Sequence, residues 1–266
     1  MTGRASGQGG PVRGPTSMPR ETLVAGINAV RSALRFGAGG VSALWLDRRR
    51  RDRRLAELAA LAREQGIALR QVERDELDRI ADGANHQGAL AWVAAPAARS
   101  EAELDALLDA LDGPPLLLVL DGVTDPHNLG ACLRTADGAG VQALIVPKDK
   151  AAGLTPVAVK VASGAAESVP LVQVTNLARA LDRLKARGIW LVGTSDAAER
   201  DLYETDLRGP VALVLGSEGA GLRRLTRERC DLLCRIPMRG RVESLNVSVA
   251  TGVCLYEALR QRQAAV

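Results

Sequence analysis

The segment LLLVLDGV at residues 116–123 constrains the fold of this chain more than any other feature. A run of apolar residues without polar alternation is typical of a strand that is buried on both faces of a parallel sheet. Towards the C-terminus, further short apolar runs alternate with segments of helical spacing, such as residues 155–166 and 176–188. This pattern predicts an α/β unit built on a parallel sheet.

A smaller α/β unit precedes this one. Residues 21–96 alternate three apolar runs of strand length with three segments of helical spacing, the first of them at 27–36. Residues 97–113 form an acidic linker that ends at a glycine followed by two prolines. Residues 1–20 are rich in Gly, Pro, Ser and Arg and have almost nothing to bury, so we expect a disordered basic tail.

Positive charge is concentrated in the N-terminal part of the chain, whose formal net charge is +4 over 266 residues. Residues 1–96 hold fifteen arginines and ten acidic residues, whereas residues 97–266 hold twenty basic and twenty-one acidic residues. Six of the seven residues 48–54 are arginines. A solvated helix start would account for that run. A basic module joined to a near-neutral one also indicates binding of a polyanion such as RNA.

Several classes of protein are disfavoured by the composition. No segment approaches the roughly 18 apolar residues of a membrane span, and the first twenty residues lack the apolar core of a secretory signal, so we expect a cytoplasmic protein. Four cysteines in a chain of this length make no disulfide framework and are expected to be reduced and buried. Cys230, Cys234 and two remote histidines are too few for a zinc site, so no metal is expected.

Polar residues cluster in three loops of the larger unit, at residues 121–130, 216–221 and 236–248. The carboxyl ends of parallel strands meet at one edge of a sheet, where ligand sites form. Each loop also has a structural interpretation, since a Gly-rich turn often follows a strand, and Ser244 and Asn246 are typical helix N-caps. Three polar loops at the strand ends of one sheet nevertheless favour a functional site at that edge.

Three segments resemble, in order and spacing, the motifs of the SpoU-type RNA ribose 2′-O-methyltransferases of the SPOUT superfamily. They are DGVTDPHNLGACLRTADGAGV, VALVLGSEGAGLRRL and IPMRGRVESLNVSVATGVCLYEALRQR, and the resemblance covers residues 116–262. Residues 22–95, with Gly-Ile-Asn at 26–28 and Asn-His-Gln-Gly at 85–88, are similar to the ribosomal-protein-L30e-like substrate-binding domain of the bacterial 23S rRNA guanosine 2′-O-methyltransferases.

This resemblance implies an α/β protein with an L30e-like substrate-binding domain at residues 21–96 and a SPOUT methyltransferase domain at residues 114–266. The latter would have a parallel sheet and a deep trefoil knot, which no general rule predicts because knots are almost absent from protein folds. The resemblance also implies a homodimer, S-adenosylmethionine as the cofactor, and 23S rRNA or a ribosome assembly intermediate as the partner.

The functional positions of the family can be carried over residue by residue. The resemblance places catalytic or near-catalytic residues at Asn128, Arg134, Glu218, Ser244 and Asn246. It places cofactor-binding positions at Thr194, Gly216, Ser217, Ile236 and Leu245. The expected RNA-binding residues of the smaller unit are Arg48, Arg49, Arg50, Arg51, Asn85, His86 and Gln87.

Arg134 is implicated by the resemblance in activating the ribose hydroxyl. A guanidinium with a pKa above ~12 is a poor general base. We therefore expect Arg134 to bind the adjacent phosphate and to stabilise the developing alkoxide, with the proton passing to that phosphate or to water. Asn128 and Glu218 are expected to hold each other and Arg134 in place, while Ser244 and Asn246 face the ribose or the cofactor.

The chain has only six aromatic residues. RNA readers often stack bases on aromatic rings or on arginine planes, so this composition predicts that arginine makes the stacking and phosphate contacts. The expected surfaces are residues 48–54, 85–88 and 223–241, the last with seven arginines and two acids. Binding should weaken steeply with salt.

The favoured target is the guanosine of the peptidyl-transferase P loop of 23S rRNA. Alternatives within the family are a guanosine of the tRNA D-loop and an rRNA adenosine whose methylation confers antibiotic resistance. An alternative from another class is a non-catalytic RNA-binding protein. A Rossmann-type methyltransferase or dehydrogenase is disfavoured because no predicted strand is followed by Gly-x-Gly-x-x-Gly.

Overall fold

The computed structural model describes residues 21–36, 40–94 and 97–264. The basic tail expected at residues 1–20 lies outside the described residues. Two α/β units are present, each with its own sheet and its own hydrophobic core. Within the described part of the chain, no helix is long and apolar enough to cross a membrane, and no group of three metal-ligating side chains is found.

The N-terminal unit is a mixed four-stranded sheet in the order β1-β4-β2-β3. Its strands are β1 (Glu21–Ala25), β2 (Val41–Asp47), β3 (Ala68–Val72) and β4 (Ala89–Ala94), and its helices are α1 (Ile27–Phe36), α2 (Arg53–Glu64) and α3 (Arg74–Ala81). Strand β4 is antiparallel to β1 and β2, while β2 and β3 are parallel. Helices α1 and α2 share a core on one face of the sheet, and α3 packs on the other.

The C-terminal unit is a seven-stranded sheet in the order β7-β6-β5-β10-β8-β11-β9. Its strands are β5 (Leu116–Asp121), β6 (Ala143–Pro147), β7 (Leu171–Val174), β8 (Trp190–Thr194), β9 (Arg200–Asp201), β10 (Val211–Gly216) and β11 (Leu232–Arg235). Its helices are α5 (Pro126–Gly138), α6 (Pro156–Ala162), α7 (Ala165–Ser168), α8 (Leu177–Ala186), α9 (Arg224–Arg229) and α10 (Val247–Gln263), with a short 3-10 turn at Leu202–Glu204.

Every strand pairing described in the larger sheet is parallel, which confirms the prediction from the apolar runs. Strand β5 is buried along its whole length and pairs with β10, so that Gly216 lies opposite Asp121. The carboxyl ends of β5 and β10 therefore meet at one edge of the sheet. The first two polar loops follow directly from this edge.

The helix predicted at residues 155–166 is instead two helices, α6 and α7. Ser163 and Gly164 between them have left-handed backbone conformations, with φ of +53° and +99°. A Cβ atom at residue 164 would lie 2.1 Å from Ser32 Oγ of α1. The break in the helix therefore lies where the N-terminal unit contacts the C-terminal unit, a tertiary constraint that helical spacing does not encode.

The segment between the two units packs on the larger one. The main chain of Arg99 exchanges hydrogen bonds with Leu171 and Gln173 of the edge strand β7, at 2.7 and 2.9 Å. Helix α4 (Glu101–Asp109) follows, and its acidic side chains form ion pairs with arginines of α8 and with Arg187 beyond it. Opposite charges on α4 and α8 therefore hold this segment against the C-terminal unit.

Candidate functional site

The second polar loop, residues 216–221, folds back tightly on itself. Ser217 and Gly221 exchange two backbone hydrogen bonds, at 3.2 and 2.9 Å. A Cβ atom at residue 216 would lie only 2.0 Å from the backbone carbon of Gly221, so this position requires glycine. Gly219 and Gly221 have φ of +77° and +64°, the left-handed region that glycine adopts at no steric cost. The turn presents Glu218 at an exposed position.

One residue from each of the three polar loops meets at the Glu218 carboxylate. Its Oε1 atom accepts hydrogen bonds from Asn128 Nδ2 at 3.2 Å, from Asn246 Nδ2 at 2.5 Å and from the Val247 backbone N–H at 3.3 Å. Asn246 Nδ2 also lies 3.0 Å from Asn128 Oδ1. Asn246 is the N-cap of α10, so the carboxylate lies where the helix dipole favours negative charge. The expected contact between Asn128 and Glu218 is present.

An ion pair between a buried carboxylate and an exposed arginine anchors the loop that carries Glu218. Asp121, at the end of β5, is fully buried and accepts hydrogen bonds from Arg223 Nε at 2.5 Å and from the Arg223 backbone N–H at 2.9 Å. A buried carboxylate without such a partner would be costly. The pair therefore fixes the end of the second loop against the start of the first.

The second and third polar loops, with the loop that follows β8, surround a cavity of about 290 Å³. Its lining combines apolar side chains, hydroxyls, carboxylates and backbone, which is typical of a site for a polar organic cofactor. All five predicted cofactor positions line it, namely Thr194, Gly216, Ser217, Ile236 and Leu245. Glu218 and Ser244 line it as well. The structure thus brings together residues that lie up to about fifty positions apart in the sequence.

Some cavity residues were not predicted from the sequence. Asp196 and Met238 each lie two positions after a predicted cofactor residue, so extending the predictions along the same loops would have found them. Arg227 lies on helix α9, which was not predicted, and its guanidinium donates to Ser195 Oγ at 3.3 Å. Glu243 adds a second carboxylate next to Ser244.

Arg134 lies apart from the cluster around Glu218. It is six residues beyond Asn128 on α5, or one and two-thirds turns, so the two side chains leave the helix on different sides. Arg134 lines a separate cavity of about 320 Å³ between the two units, together with Ser32, Asp137 and Ser163. Among the described residues, its guanidinium has no hydrogen bond or ion pair. The expected contact of Asn128 and Glu218 with Arg134 is therefore absent from this structure.

The cysteines are unsuited to covalent chemistry. Burial raises the pKa of the Cys132 and Cys234 thiols to about 11 and that of Cys230 to about 12, with Asp231 adding to the effect at Cys230. Burial also raises the pKa of the Cys254 thiol. The thiolate is the nucleophilic form of cysteine, so these side chains are unreactive at neutral pH.

In the N-terminal unit, the arginines at residues 48–51 and the side chains of Asn85 and Gln87 are exposed. His86 is buried, with Nε2 at 2.8 Å from Asp78 and Nδ1 accepting the Gly88 backbone N–H at 3.0 Å. Because both ring nitrogens are occupied, His86 shapes the loop from within it. Its direct contact with RNA stays a prediction.

Two family models match this chain. The model of the SpoU rRNA Methylase family matches residues 115–256. A second model, described as RNA 2′-O ribose methyltransferase substrate binding, matches residues 23–98. The first covers the three polar loops, and the second covers the basic unit.

Similar proteins extend over both units. The 23S rRNA (guanosine-2′-O-)-methyltransferase RlmB of Pseudomonas syringae pv. tomato is 59% identical over 90% of this chain and 95% of its own length. The corresponding protein of Pseudomonas putida is 56% identical over 90% of this chain and 96% of its own. The crystal structure of the SpoU methyltransferase AviRb from Streptomyces viridochromogenes, in complex with the cofactor AdoMet, has a TM-score of 0.74 at 30% identity and covers 92% of this chain and 91% of AviRb.

Proposed function

This chain belongs to the SpoU rRNA methylase family, and from that membership we propose that it transfers a methyl group from S-adenosylmethionine to the ribose 2′-oxygen of a guanosine in 23S rRNA. The observation that carries the proposal is the convergence of the loops after β8, β10 and β11 on one cavity, beside the cluster of Asn128, Glu218 and Asn246. We assign residues 21–96 to a substrate-binding domain, 97–113 to the linker and 114–266 to the methyltransferase domain.

The cavity residues fit S-adenosylmethionine. The close turn at Gly216 leaves backbone groups accessible to a polar ligand, while Ile236 and Leu245 offer apolar contacts to a purine ring. Glu218 and Glu243 supply negative charge that complements a sulfonium. When bound, the cofactor supplies a methyl group activated by that sulfonium.

Arg134 is proposed to act on the RNA. Its guanidinium is exposed and free of ion pairs among the described residues, so it can hold the phosphate next to the target ribose with two N–H donors. The same charge stabilises the 2′-oxygen as its proton leaves for that phosphate or for water. Asn128 and Glu218 position the start of α5, Asn246 positions the start of α10, and Ser244 offers a hydroxyl to the ribose or the cofactor.

The substrate-binding domain is proposed to hold rRNA, or an assembly intermediate that contains it, mainly by charge. Arg48 and Arg51 are exposed and form no ion pair with any described residue, whereas Arg49 and Arg53 are paired with Glu73 and Glu57. Arg50, which lies between Arg48 and Arg51 in the sequence, ties this basic segment to the loop 85–88 by a hydrogen bond to the Gln87 carbonyl at 2.6 Å.

We further propose a cytoplasmic homodimer and a deep trefoil knot in the methyltransferase domain. Helix α10 exposes Val249 and Tyr256, two turns apart on one face, each of them 52% exposed. An apolar stripe of this kind is suited to a second copy of the chain. The knot is proposed from the family membership alone; in the structure, α10 packs against α5, and its Arg262 hydrogen bonds to the carbonyls of Pro114 and Pro115 at the start of the domain.

The decisive experiment maps ribose methylation across 23S rRNA and tRNA in cells with and without the gene. We expect methylation to be lost at one guanosine, in the peptidyl-transferase P loop, and to be restored by the gene carrying Arg208→Ala, an exposed residue outside both cavities. Loss at a tRNA D-loop guanosine or at an rRNA adenosine would support the corresponding alternative. If methylation were unchanged at every site, the result would support the alternative of a non-catalytic RNA-binding protein.

A further inference from the structure

Two of the chain's three tryptophans lie side by side in the substrate-binding domain. Trp45 of β2 and Trp92 of β4 have ring centroids 4.7 Å apart, at an interplanar angle of 52°. Arg70 lies opposite Trp45 in the register of β2 and β3, and its guanidinium carbon is 4.7 Å from the centre of the Trp45 ring. A cation, an indole face and a second indole thus form one row on the sheet surface.

This row is only partly covered by the rest of the domain. Helix α3 packs on the same face, and Trp45 and Trp92 border the cluster that its Leu77 and Ala81 form with Val72 and Leu90. Trp45 and Trp92 stay half-buried, and Arg70 is exposed. Tryptophan rings and arginine planes are the side-chain surfaces on which nucleobases stack, and stacking tolerates any base sequence.

The row is continuous with the basic surface. Strand β2 ends at Asp47, so Arg48 follows Trp45 by three residues, or about 10 Å of extended chain. Two carboxylates of helix α3 and its N-cap that could repel a polyanion on this face are paired with arginines, Glu73 with Arg49 and Asp78 with Arg74. A polyanion that contacts the free arginines would therefore pass close to the aromatic rings.

We propose that Trp45, Trp92 and Arg70 form a stacking platform for an unpaired base of the RNA substrate, while Arg48 and Arg51 contact the adjoining phosphates. The inference rests on the proposed function, because it takes RNA as the substrate. It also revises the expectation, drawn from the scarcity of aromatic residues, that arginine alone makes the stacking contacts. The fold places two of the six aromatics where a base can reach them.

The first test measures the affinity of the full chain for a 23S rRNA fragment that contains unpaired nucleotides. Trp92→Leu and Arg70→Gln should each weaken binding roughly tenfold, as loss of one stacked base does. Trp92→Phe should restore most of the affinity, because it keeps an aromatic face. The matched control is Trp190→Leu, since Trp190 is 56% exposed on the other domain. Wild-type affinity in both platform variants would overturn the proposal.

The second test needs no variant that perturbs the platform. Trp190→Phe leaves Trp45 and Trp92 as the only tryptophans, so their fluorescence reports directly on the platform. A single-stranded oligonucleotide should quench this fluorescence, and a duplex of the same sequence should not. Equal quenching by the duplex would show that the surface binds polyanions without stacking an unpaired base, and equal quenching by polyglutamate would show that it binds an acidic polypeptide as well. Either result would overturn the proposal. Bound RNA without quenching would overturn the platform alone, whereas failure of the wild-type chain to bind any rRNA fragment would contradict the proposed function as well.

Discussion

In the methyltransferase domain, Asn128 and Asn246 are 118 positions apart in the sequence and lie 3.0 Å apart in the structure. In the substrate-binding domain, the arginines of residues 48–54 are neighbours in the sequence and remain exposed around one end of a strand. The first site exists only when the parallel sheet is complete, because its loops come from different strands. The second needs little more than local structure.

This difference separates what each domain contributes to the reaction. Side chains that share hydrogen bonds depend on one another, as Asn128 and Asn246 do at the Glu218 carboxylate. Exposed charges act through a field that salt screens, and each adds its part nearly independently. We therefore expect substitutions in the methyltransferase domain to change the rate of methyl transfer, and substitutions in the basic surface to change the affinity for RNA.

The largest expected effect is that of Arg134→Ala. Loss of an oriented charge that stabilises a developing oxyanion lowers the rate by about 100- to 1,000-fold. The dissociation constant of S-adenosylmethionine should stay unchanged, because Arg134 does not line the cofactor cavity. Single-turnover methyl transfer at saturating RNA measures the first quantity, and calorimetry measures the second. Arg208→Ala is the control, and full activity in Arg134→Ala would remove that residue from the mechanism.

A smaller effect is expected for the double variant Arg48→Gln, Arg51→Gln. Removal of two phosphate contacts should weaken RNA binding roughly tenfold at low salt and reduce the slope of log affinity against log salt by about 1.4 to 1.8. The rate at saturating RNA should be unchanged. The matched control replaces Arg49 and Arg53, which carry the same charge but are already paired with carboxylates.

Binding titrations of both double variants at several salt concentrations test this expectation. An equal loss of affinity in the two would show that only net charge matters. The distinction between free and paired arginines would then be wrong, and the basic surface would contribute a diffuse field without local contacts.

Much of the larger domain could be predicted because its pattern is strong. The first five residues of the run at 116–123 are all apolar, which predicts a strand buried on both faces, and the structure has the fully buried strand β5 there. The five cofactor positions came from the resemblance, and the structure places all of them around one cavity. The α1 helix was predicted with the bounds that the structure gives it, because its apolar residues repeat cleanly at helical spacing.

The features that escaped prediction depend on contacts distant in the sequence. Strand β1 was not predicted, since it is a short edge strand without buried alternation. The neighbouring positions of Trp45 and Trp92 follow from the antiparallel register of β2 and β4, which the composition does not contain. The separation of Arg134 from Asn128, by contrast, follows from their six-residue spacing on a helix and could have been predicted.

The smallest expected effect also distinguishes the two domains, because all four cysteines belong to the methyltransferase domain. Burial keeps the Cys132 thiol protonated up to a pKa of about 11, whereas an unfolded chain loses that proton near pH 8.5 to 9. Unfolding therefore releases a proton between these values, and the free energy of unfolding should fall by about 1.4 kcal/mol per pH unit per thiol, with no such loss below pH 8. Urea unfolding at pH 8 and pH 10 measures this slope.

The variant Cys132→Ser measures how much one thiol contributes to the decrease in the free energy of unfolding at alkaline pH. The serine hydroxyl can take over the hydrogen bond to Thr251, which the thiol makes at 3.4 Å, and it does not titrate in this range. Any effect of the substitution on packing lowers the free energy of unfolding equally at every pH, so it does not alter the slope. The slope should therefore become less steep only by the contribution of the one titrating thiol that was removed. The Trp45 and Trp92 signal in Trp190→Phe follows the substrate-binding domain, which lacks cysteine and should show no such loss. A slope unchanged by Cys132→Ser would mean that this thiol is accessible to solvent and that the core around α5 and α10 is looser than the structure shows.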